Sequence, residues 1–305
     1  MSSEDHPSVA FVTTLDTAIL HDDFDLPFHI EAFADAGVHL VHAAWEDPDV
    51  DWDRFDLVIV RSTWNYVDRL EEFRGWMQAR SDLRTLHNPP AVIGWNLDKR
   101  YLAELAGHGV AVIPTAYASD GAQLMRVLGA ASARQVVVKP SISAGSRLTG
   151  RFLAGSAVAQ ELGERILAAG FTVMVQPFAE SVDAAGEIGA VLLDGAISHS
   201  FRKGPLLGEE GTLRGGEYSE EITAAELSRA ERALVLAAND AVEAIAREHH
   251  GLGPEEHLLY ARYDLVTLDD GSPALLEAEL FEPSLFLMVD PTSPRRFIDA
   301  VRRRI

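Results

Sequence analysis

The stretch YARYDLVTLDDGSPALLEAELFEP, residues 260–283, constrains the fold more strongly than any other part of the chain. Two runs in which apolar and polar residues alternate flank the sequence DDGS at 269–272, whose composition is typical of a tight turn between antiparallel strands. Because successive side chains of a strand point to opposite faces, the hairpin has one apolar and one charged face. The apolar face is predicted to be core and carries Ala261, Tyr263, Leu265, Leu276, Ala278 and Leu280.

The charged face of this hairpin predicts a cation site. The turn sets a register that pairs Asp264 with Glu277 and Arg262 with Glu279. Directly opposite Cβ atoms lie about 4.5–5.5 Å apart, and like charges placed there repel. Three carboxylates beside one arginine therefore favour a further cation, and Mg²⁺ suits them because one or two carboxylates plus substrate phosphates hold it. A solvated acidic face is the alternative, although the apolar opposite face indicates burial.

The composition is that of an ordinary globular protein, with 47% of the 305 residues hydrophobic and 24% charged. A net charge of −21 opposes attraction to nucleic acid or to anionic membranes. The absence of cysteine excludes disulfides, thiolate zinc sites and cysteine nucleophiles. No apolar run approaches the roughly 18 residues that span a membrane, and the first residues do not resemble a signal peptide. A cytoplasmic location is therefore expected.

The N-terminal part predicts an α/β layer. Short apolar strands are expected at 9–13, 38–44 and 57–60, with a helix after the first, so the sheet should be mostly parallel. The third strand is followed by RSTWNY at 61–66. Ligands of open α/β sheets lie beyond the carboxyl ends of the strands, which makes this segment a candidate substrate site. The alternative is a packed tryptophan with a capping serine.

The central part contains a candidate phosphate-binding loop. A buried strand at 135–138 ends in Lys139-Pro140 and is followed by the small and hydroxylic loop 141–150. Such a loop can bring backbone N–H groups close to phosphate oxygens, with Lys139 as the point charge. The signal is not specific by itself, because glycine-serine hairpins are common.

A second hairpin is predicted around Asp194-Gly195. Its expected register sets Glu187 opposite Arg202, which taken alone is an ordinary cross-strand ion pair. The glycine-rich segment 204–216 is typical of a mobile loop, and a long helix is expected from about 224 to 250. The chain lacks the GxxxxGK[ST], GxGxxG and GxSxG patterns, which excludes P-loop enzymes, simple dinucleotide binders and the α/β-hydrolase elbow.

Taken in order, these pieces resemble the ATP-grasp superfamily over nearly the whole chain. The matching pieces are Lys99, Lys139-Pro140 with its loop, Gln176-Pro177-Phe178, Glu187, Arg262 with Asp264, and Glu277 with Glu279. The resemblance implies an α/β (α+β) fold with an N-terminal parallel-sheet domain (1–92), a central subdomain (93–175) and a C-terminal subdomain (176–305). ATP would lie between the last two.

The resemblance also implies roles for individual residues. The residues implied for ATP are Lys99, Lys139, Ser143, Gly145, Ser146, Gln176, Pro177, Phe178, Glu187 and Lys203. Those implied for Mg²⁺ are Asp264, Glu277 and Glu279, although many relatives have asparagine where this chain has Glu279. Those implied for the reacting groups are Arg202, Arg214 and Arg262. Those assigned to the substrate are Asp16, Arg61, Trp64 and Tyr66.

Within the superfamily, three segments are similar to the O-ureido-serine cyclo-ligase type of cycloserine biosynthesis: STWNY at 62–66, KPSISAGS at 139–146 and EAELFEPSLF at 277–286. This resemblance implies an ATP-dependent carboxylate–amine ligase that forms an acyl phosphate on a small amino-acid-like substrate and closes a ring. The alternatives are a ligase that joins two separate amino acids or peptides, and a regulatory protein that binds nucleotide without turnover. A homo-oligomeric assembly is left open.

Overall fold

The computed structural model describes residues 6–212 and 221–305. Its N-terminal elements form a parallel sheet in the order β2-β1-β3-β4, which confirms the predicted α/β layer. These elements are β1 (Ser8–Thr13), α1 (Thr17–His21), α2 (Leu26–Asp35), β2 (His39–Ala44), β3 (Leu57–Val60), α3 (Leu70–Gln78) and β4 (Leu86–His87).

The central elements form an antiparallel sheet in the order β5-β8-β6-β7. Helices α6 and α7 pack on it around Leu124, Leu128 and Ile166. The elements are α4 (Pro90–Asn96), α5 (Tyr101–Gly107), β5 (Ala116–Ala118), α6 (Gly121–Ala130), β6 (Gln135–Pro140), β7 (Gly150–Leu153), α7 (Ala157–Ala168) and β8 (Val173–Pro177).

The C-terminal elements form a third sheet in the order β11-β10-β9-β12-β13. The long predicted helix is present but begins at Arg229, because Ser228 caps it through a reciprocal bond with Glu231. The elements are α8 (Ser181–Ala185), β9 (Glu187–Leu193), β10 (Ala196–Lys203), β11 (Ile222–Ala224), α9 (Arg229–His249), β12 (Tyr260–Thr267), β13 (Pro273–Glu279) and α10 (Ser293–Arg302).

The hairpin of β12 and β13 has the predicted register at its charged end. Arg262 lies opposite Glu279 and Asp264 opposite Glu277. A β-bulge then shifts the register, so that Leu265 pairs with Leu275. The prediction that Leu276 is a core residue on the apolar face is therefore wrong: Leu275 is fully buried there, and Leu276 lines the cleft on the other face.

The hairpin of β9 and β10 differs from its predicted register. An irregularity between Ile197 and His199 moves the pairing by one position, so that Lys203 and not Arg202 lies opposite Glu187. The Lys203 ammonium lies 3.3 Å from the Glu187 carboxylate. Because a shift of one residue reverses the faces of a strand, Lys203 points towards the cleft and Arg202 to the opposite face.

Side-chain amides in and near α4 hold the chain that follows β4 against the hairpin of β12 and β13. Asn88 donates to the Tyr260 carbonyl at 2.9 Å and accepts from the Leu259 amide at 2.8 Å. Asn96, on α4, donates to the Ala278 carbonyl at 2.8 Å and accepts from the Leu280 amide at 2.9 Å. Helices α4 and α5 thus pack on the third sheet, although they precede the second sheet in the chain.

The C-terminal helix α10 returns to the first sheet. Phe297 packs in one core with Phe11 and Phe33, and this core continues into the third sheet. Among the described residues, no helix is both long and apolar enough to cross a membrane.

Candidate active site

A cavity of about 910 Å³ lies where the three sheets meet. The carboxyl ends of β1 and β3 close one end of it, through Asp16 and the segment from Trp64 to Asp68. The central sheet and the hairpin of β12 and β13 form its two long walls. The strand ends at which a ligand is predicted thus border this cavity.

The only lysines in the sequence are Lys99, Lys139 and Lys203, and all three line this cavity. Lys99 and Lys139 are 7% and 8% exposed. The Lys99 ammonium donates to the Ser143 carbonyl at 2.8 Å and lies 3.1 Å from the Glu277 carboxylate. Lysine ammonium groups from three segments that are distant in the chain therefore converge on one space.

Lys139 differs from the other two lysines in its surroundings. Within the described part of the chain, no hydrogen bond or ion pair of its ammonium group is found. Burial lowers the pKa of Lys139, and the positive charge of Lys99 adds to this effect, whereas the nearby Glu277 carboxylate opposes it. A buried ammonium that faces an open cavity is a binding point for an anion.

The carboxylates on the hairpin are paired with cations. Arg262 donates to both Asp264 oxygens, at 3.0 and 2.9 Å, and also contacts the carboxylate of Glu279. The Lys203 ammonium lies 3.0 Å from Asp264. Burial alone would raise the pKa of Asp264, but the charges of Arg262 and Lys203 outweigh it and lower the pKa to about 2.

Glu277 and Glu279 have opposite pKa shifts although they lie on the same face. Burial opposes ionisation of Glu277, but the charges of Lys99 and Lys139 outweigh it and lower its pKa. Burial raises the pKa of Glu279 to about 8, because the repulsion from Asp264 and Glu277 adds to it and Arg262 only partly offsets it. Of the three hairpin carboxylates, Glu279 is thus the one that a further cation would stabilise most.

The carboxylates fit a magnesium ion that is shared with phosphate oxygens. Within residues 6–212 and 221–305, no three acidic or histidine side chains are close enough together to form a ready-made metal site. Glu277 and Glu279 are each 24% exposed and line the cavity. Two reachable carboxylates match the preference of Mg²⁺ for one or two carboxylates completed by phosphates and water.

An apolar slot lies deep between the two walls. It is formed by Ile113, Val137, Phe178, Val266 and Leu276, and all of these line the cavity. The guanidinium of Arg151 lies 3.6 Å from the ring centroid of Phe178 and holds the ring in place. The predicted Gln176, Pro177 and Phe178 are at this position, and the Gln176 amide donates to the Thr115 hydroxyl at 2.9 Å.

The predicted phosphate loop also lines the cavity, through Ser143, Gly145 and Ser146. Gly145 has φ +59° and Ser146 has φ 55°, so the loop turns sharply through left-handed backbone. The neighbouring Arg147 forms an ion pair with Asp68 of the N-terminal domain. This ion pair connects the loop to the segment that follows β3.

The substrate candidates separate into two groups. Trp64, Tyr66 and Asp16 line the cavity. Arg61 does not: it is 2% exposed, packs over the Tyr260 ring, and lies 3.5 Å from the buried Asp25 carboxylate. Arg61 follows the strand end, but its side chain points into the interior, so the prediction that it binds substrate in this cavity is wrong.

The three catalytic arginine candidates also have different positions. Arg262 lies at the centre of the charged face. Arg202 is outside the cavity lining, and its guanidinium donates to the Ala185 carbonyl on the opposite face of β10. Arg214 is outside the described residues.

Sequence reasoning missed Glu282. This carboxylate lines the cavity beyond the end of β13 and accepts a hydrogen bond from the Tyr66 hydroxyl at 3.0 Å. The Trp64 indole N–H donates to the Glu282 carbonyl at 3.0 Å. The available signal was an acidic residue three positions after a strand that ends in the cleft.

Comparison with known proteins agrees with this geometry. Residues 9–88 match the sequence family described as "D-cycloserine synthetase DcsG, N-terminal domain". The chain is 37% identical to the cycloserine biosynthesis protein DcsG of Streptomyces lavendulae, covering 97% of this chain and 98% of the relative. The crystal structure of D-cycloserine synthetase DcsG is similar with a TM-score of 0.87 and 35% identity, covering 97% and 99% of the two chains. The D-alanine–D-alanine ligase of Bacillus anthracis, with 12% identity, shares the fold with a TM-score of 0.66 and 98% coverage of both chains.

The fold and the cavity define an ATP-grasp ligase, an enzyme that uses ATP to form a carbon–nitrogen bond. This class agrees with the predicted enzyme and not with a nucleotide-binding regulator. More narrowly, the chain belongs to the family of the D-cycloserine synthetase DcsG.

Proposed function

We propose that this enzyme activates the carboxylate of a small amino-acid-like substrate as an acyl phosphate and closes a ring with an amine of the same molecule. The observation that carries the proposal is the convergence of Lys99, Lys139 and Lys203 on one cavity. Three ammonium groups that line one cavity suit the phosphates of ATP. The relationship to the DcsG family supports the ring-closing form of the reaction.

The lining of the cavity suggests one orientation for ATP. The adenine would occupy the apolar slot beside Phe178, where a flat ring can pack against Val137 and Leu276. Its phosphates would then reach Lys139 and the loop at Ser143, and Glu187 would lie beside the ribose.

Asp264, Glu277 and Glu279 would hold Mg²⁺ together with phosphate oxygens. When bound, this ion neutralises negative charge on the phosphates and orients them. The hairpin also supplies a fixed cation, the Arg262 guanidinium, beside these carboxylates. It donates to Asp264 and, at 2.9 Å, to the Ser284 carbonyl, and these two bonds hold it in place. A cation held this way stabilises charge that develops at the reacting carboxylate, without reorganisation during the reaction.

The protein need not form a covalent intermediate. The sequence has no cysteine, and the cavity holds no serine–histidine pair among its described lining residues. The loop at Ser143–Ser146, which lines the cavity, would exclude water until the amine reacts with the acyl phosphate.

Product analysis tests this function. ATP is incubated with amino acids and their ureido and aminooxy analogues, and release of ADP and phosphate is expected with the correct compound. Hydroxylamine should trap a hydroxamate from a substrate analogue that cannot cyclise. Formation of AMP and pyrophosphate would contradict the acyl-phosphate course, and a rate that requires a second amine would indicate a ligase that joins two molecules. A cytoplasmic location and a homo-oligomeric state stay predictions.

A further inference from the structure

Glu282 differs from the other buried carboxylates of the cavity in having no cation as a partner among the described residues. The partly or fully buried carboxylates of its lining are Glu187, Asp264, Glu277, Glu279 and Glu282. In the described part of the chain, the first four each form an ion pair with a lysine or with Arg262, whereas no cation lies within ion-pair distance of Glu282. Its contact is the neutral Tyr66 hydroxyl, which donates at 3.0 Å. A carboxylate in this position can still accept a positive charge from a ligand.

The position of Glu282 within the cavity gives the ligand's orientation. Lys99 and Lys203 form ion pairs with Glu277, Glu187 and Asp264, whereas Glu282 contacts Trp64 and Tyr66, which follow β3. Glu282 is thus on the side of the cavity where the segment after β3 forms the wall. A zwitterion would place its carboxylate towards Arg262 and its ammonium group towards Glu282.

The walls around Glu282 also suit an ammonium group. Trp64 lines the cavity beside Glu282 and is partly exposed, and aromatic faces attract cations. The Trp64 indole N–H is already bonded to the Glu282 backbone carbonyl at 3.0 Å, which orients the ring relative to the carboxylate. The carboxylate and the rings therefore form one pocket and not separate surface features.

A buried carboxylate behind the pocket holds it rigid. Glu46 accepts from the Thr14 hydroxyl at 2.6 Å and from the Asn65 side-chain amide. Asn65 in turn accepts from the Trp45 indole N–H at 2.9 Å. The ends of β1 and β3 are thus tied together, so that Trp64 and Tyr66 keep their places without ligand.

We propose that Glu282, oriented by Tyr66 and flanked by Trp64, binds the protonated α-amino group of the acyl substrate and selects amino acids over carboxylic acids without that group. This inference rests on the proposed ligase function and adds the group that recognises the substrate. The Tyr66 hydroxyl is a positioning group, because it acts through Glu282.

The test compares two compounds on the purified full-length enzyme by ADP release: O-ureido-D-serine and 3-(ureidooxy)propanoate, its analogue without the α-amino group. For the unaltered enzyme, the KM of the analogue is expected to be at least tenfold higher. Glu282→Gln should raise the KM of O-ureido-D-serine at least tenfold, leave that of the analogue within twofold, and so bring the two values together. The affinity for ATP should not change.

Two further variants keep the test decisive. Tyr66→Phe should raise the KM of O-ureido-D-serine about threefold without affecting the analogue, even if Glu282→Gln fails to fold. Glu161→Gln, which removes an exposed carboxylate of α7 outside the cavity lining, should leave both values unchanged.

The possible failures are distinguishable. If the unaltered enzyme discriminates between the compounds and Glu282→Gln keeps that discrimination, the inference is wrong while the ligase function stands. A lower kcat with unchanged KM would also overturn it, because Glu282 would then act in proton transfer and not in binding. If neither these compounds nor any amino acid elicits ADP release from the unaltered enzyme, the proposed function fails, and this inference fails with it.

Discussion

The Glu277 carboxylate lies 3.1 Å from the Lys99 ammonium, and this ion pair joins β13 to the segment between α4 and α5. Lys99 is also bonded to the Ser143 carbonyl, so it connects the hairpin carboxylates to the loop of the central sheet. One lysine therefore contacts both walls of the cavity. A magnesium ion bound to Glu277 would therefore share that carboxylate with Lys99.

The first prediction concerns this shared carboxylate. Glu277→Gln should lower turnover by about 100-fold or more, because a preorganised charge at the reacting phosphate is lost. Without ligand the melting temperature should fall slightly, since Lys99 and Lys139 lose the negative charge between them. Turnover and thermal melts with and without Mg²⁺-ATP measure both effects. Glu161→Gln, on the exposed face of α7, is the control; turnover close to that of the unaltered enzyme in Glu277→Gln would show a merely solvated acidic face.

The second prediction uses the presence of only three lysines in the sequence. Reductive ¹³C-methylation should give three lysine signals, all from the cavity, besides that of the N-terminal amine. Because burial lowers the pKa of Lys139, its signal should titrate below the ordinary lysine range, and ATP should raise that pKa by supplying negative charge. Lys139→Met identifies the signal and should weaken ATP binding by roughly 1.5–3 kcal/mol in calorimetry. Unaltered affinity in this variant would remove Lys139 from the nucleotide site.

The third prediction tests the β-bulge through two neighbouring leucines. Leu275 is fully buried in the core, whereas Leu276 faces the apolar slot of the cavity. Leu275→Ala should lower the free energy of unfolding by roughly 2–5 kcal/mol. Leu276→Ala should instead weaken ATP binding several-fold with a much smaller loss of stability. Urea unfolding and calorimetry of both variants measure the contrast, and the reverse pattern would contradict the bulge.

The fourth prediction concerns Arg61, which the structure places in the interior. Arg61→Met leaves the buried Asp25 carboxylate without its cation, a change that costs roughly 3–5 kcal/mol for a buried pair. We therefore expect a lower melting temperature but normal KM and kcat at low temperature. The double variant Arg61→Met/Asp25→Asn should recover part of the stability. A selective rise in the KM of the amino-acid substrate would restore Arg61 to the substrate site.

The fifth prediction is a pH dependence of stability. Burial lowers the pKa of His87 to about 4, and the charge of Arg304 contributes. A histidine with a depressed folded pKa stabilises the protein above its unfolded pKa of about 6.5, and this contribution is lost as the pH falls towards 4. The loss is on the order of 3 kcal/mol. Urea unfolding at pH 7, 5.5 and 4 should show a shallower decline for His87→Gln, and equal declines would exclude this histidine as the source.

The charged face of the hairpin could be predicted from the sequence because it depends on local features. Alternation along two runs and the Asp-Gly turn place Asp264 opposite Glu277, and these depend only on the residues between them. The parallel N-terminal sheet was predictable for a similar reason, since short apolar runs separated by a helix have few other arrangements. The order of the charged pieces along the chain was enough to indicate the superfamily.

The register beyond each bulge and the direction of each side chain at the strand ends depended on tertiary packing. Alternation cannot show a bulge, so it could not place Leu276 in the cleft or exchange Arg202 for Lys203 opposite Glu187. Nor could it show that Arg61 turns inward while Trp64 turns outward, because that choice depends on Asp25 and Tyr260 from distant segments. The sequence by itself determined which charged groups the enzyme has and the order in which they occur. Only the tertiary structure decided which of them meet, as Tyr66 meets Glu282, because the free energy of such contacts comes from burial between segments far apart in the chain.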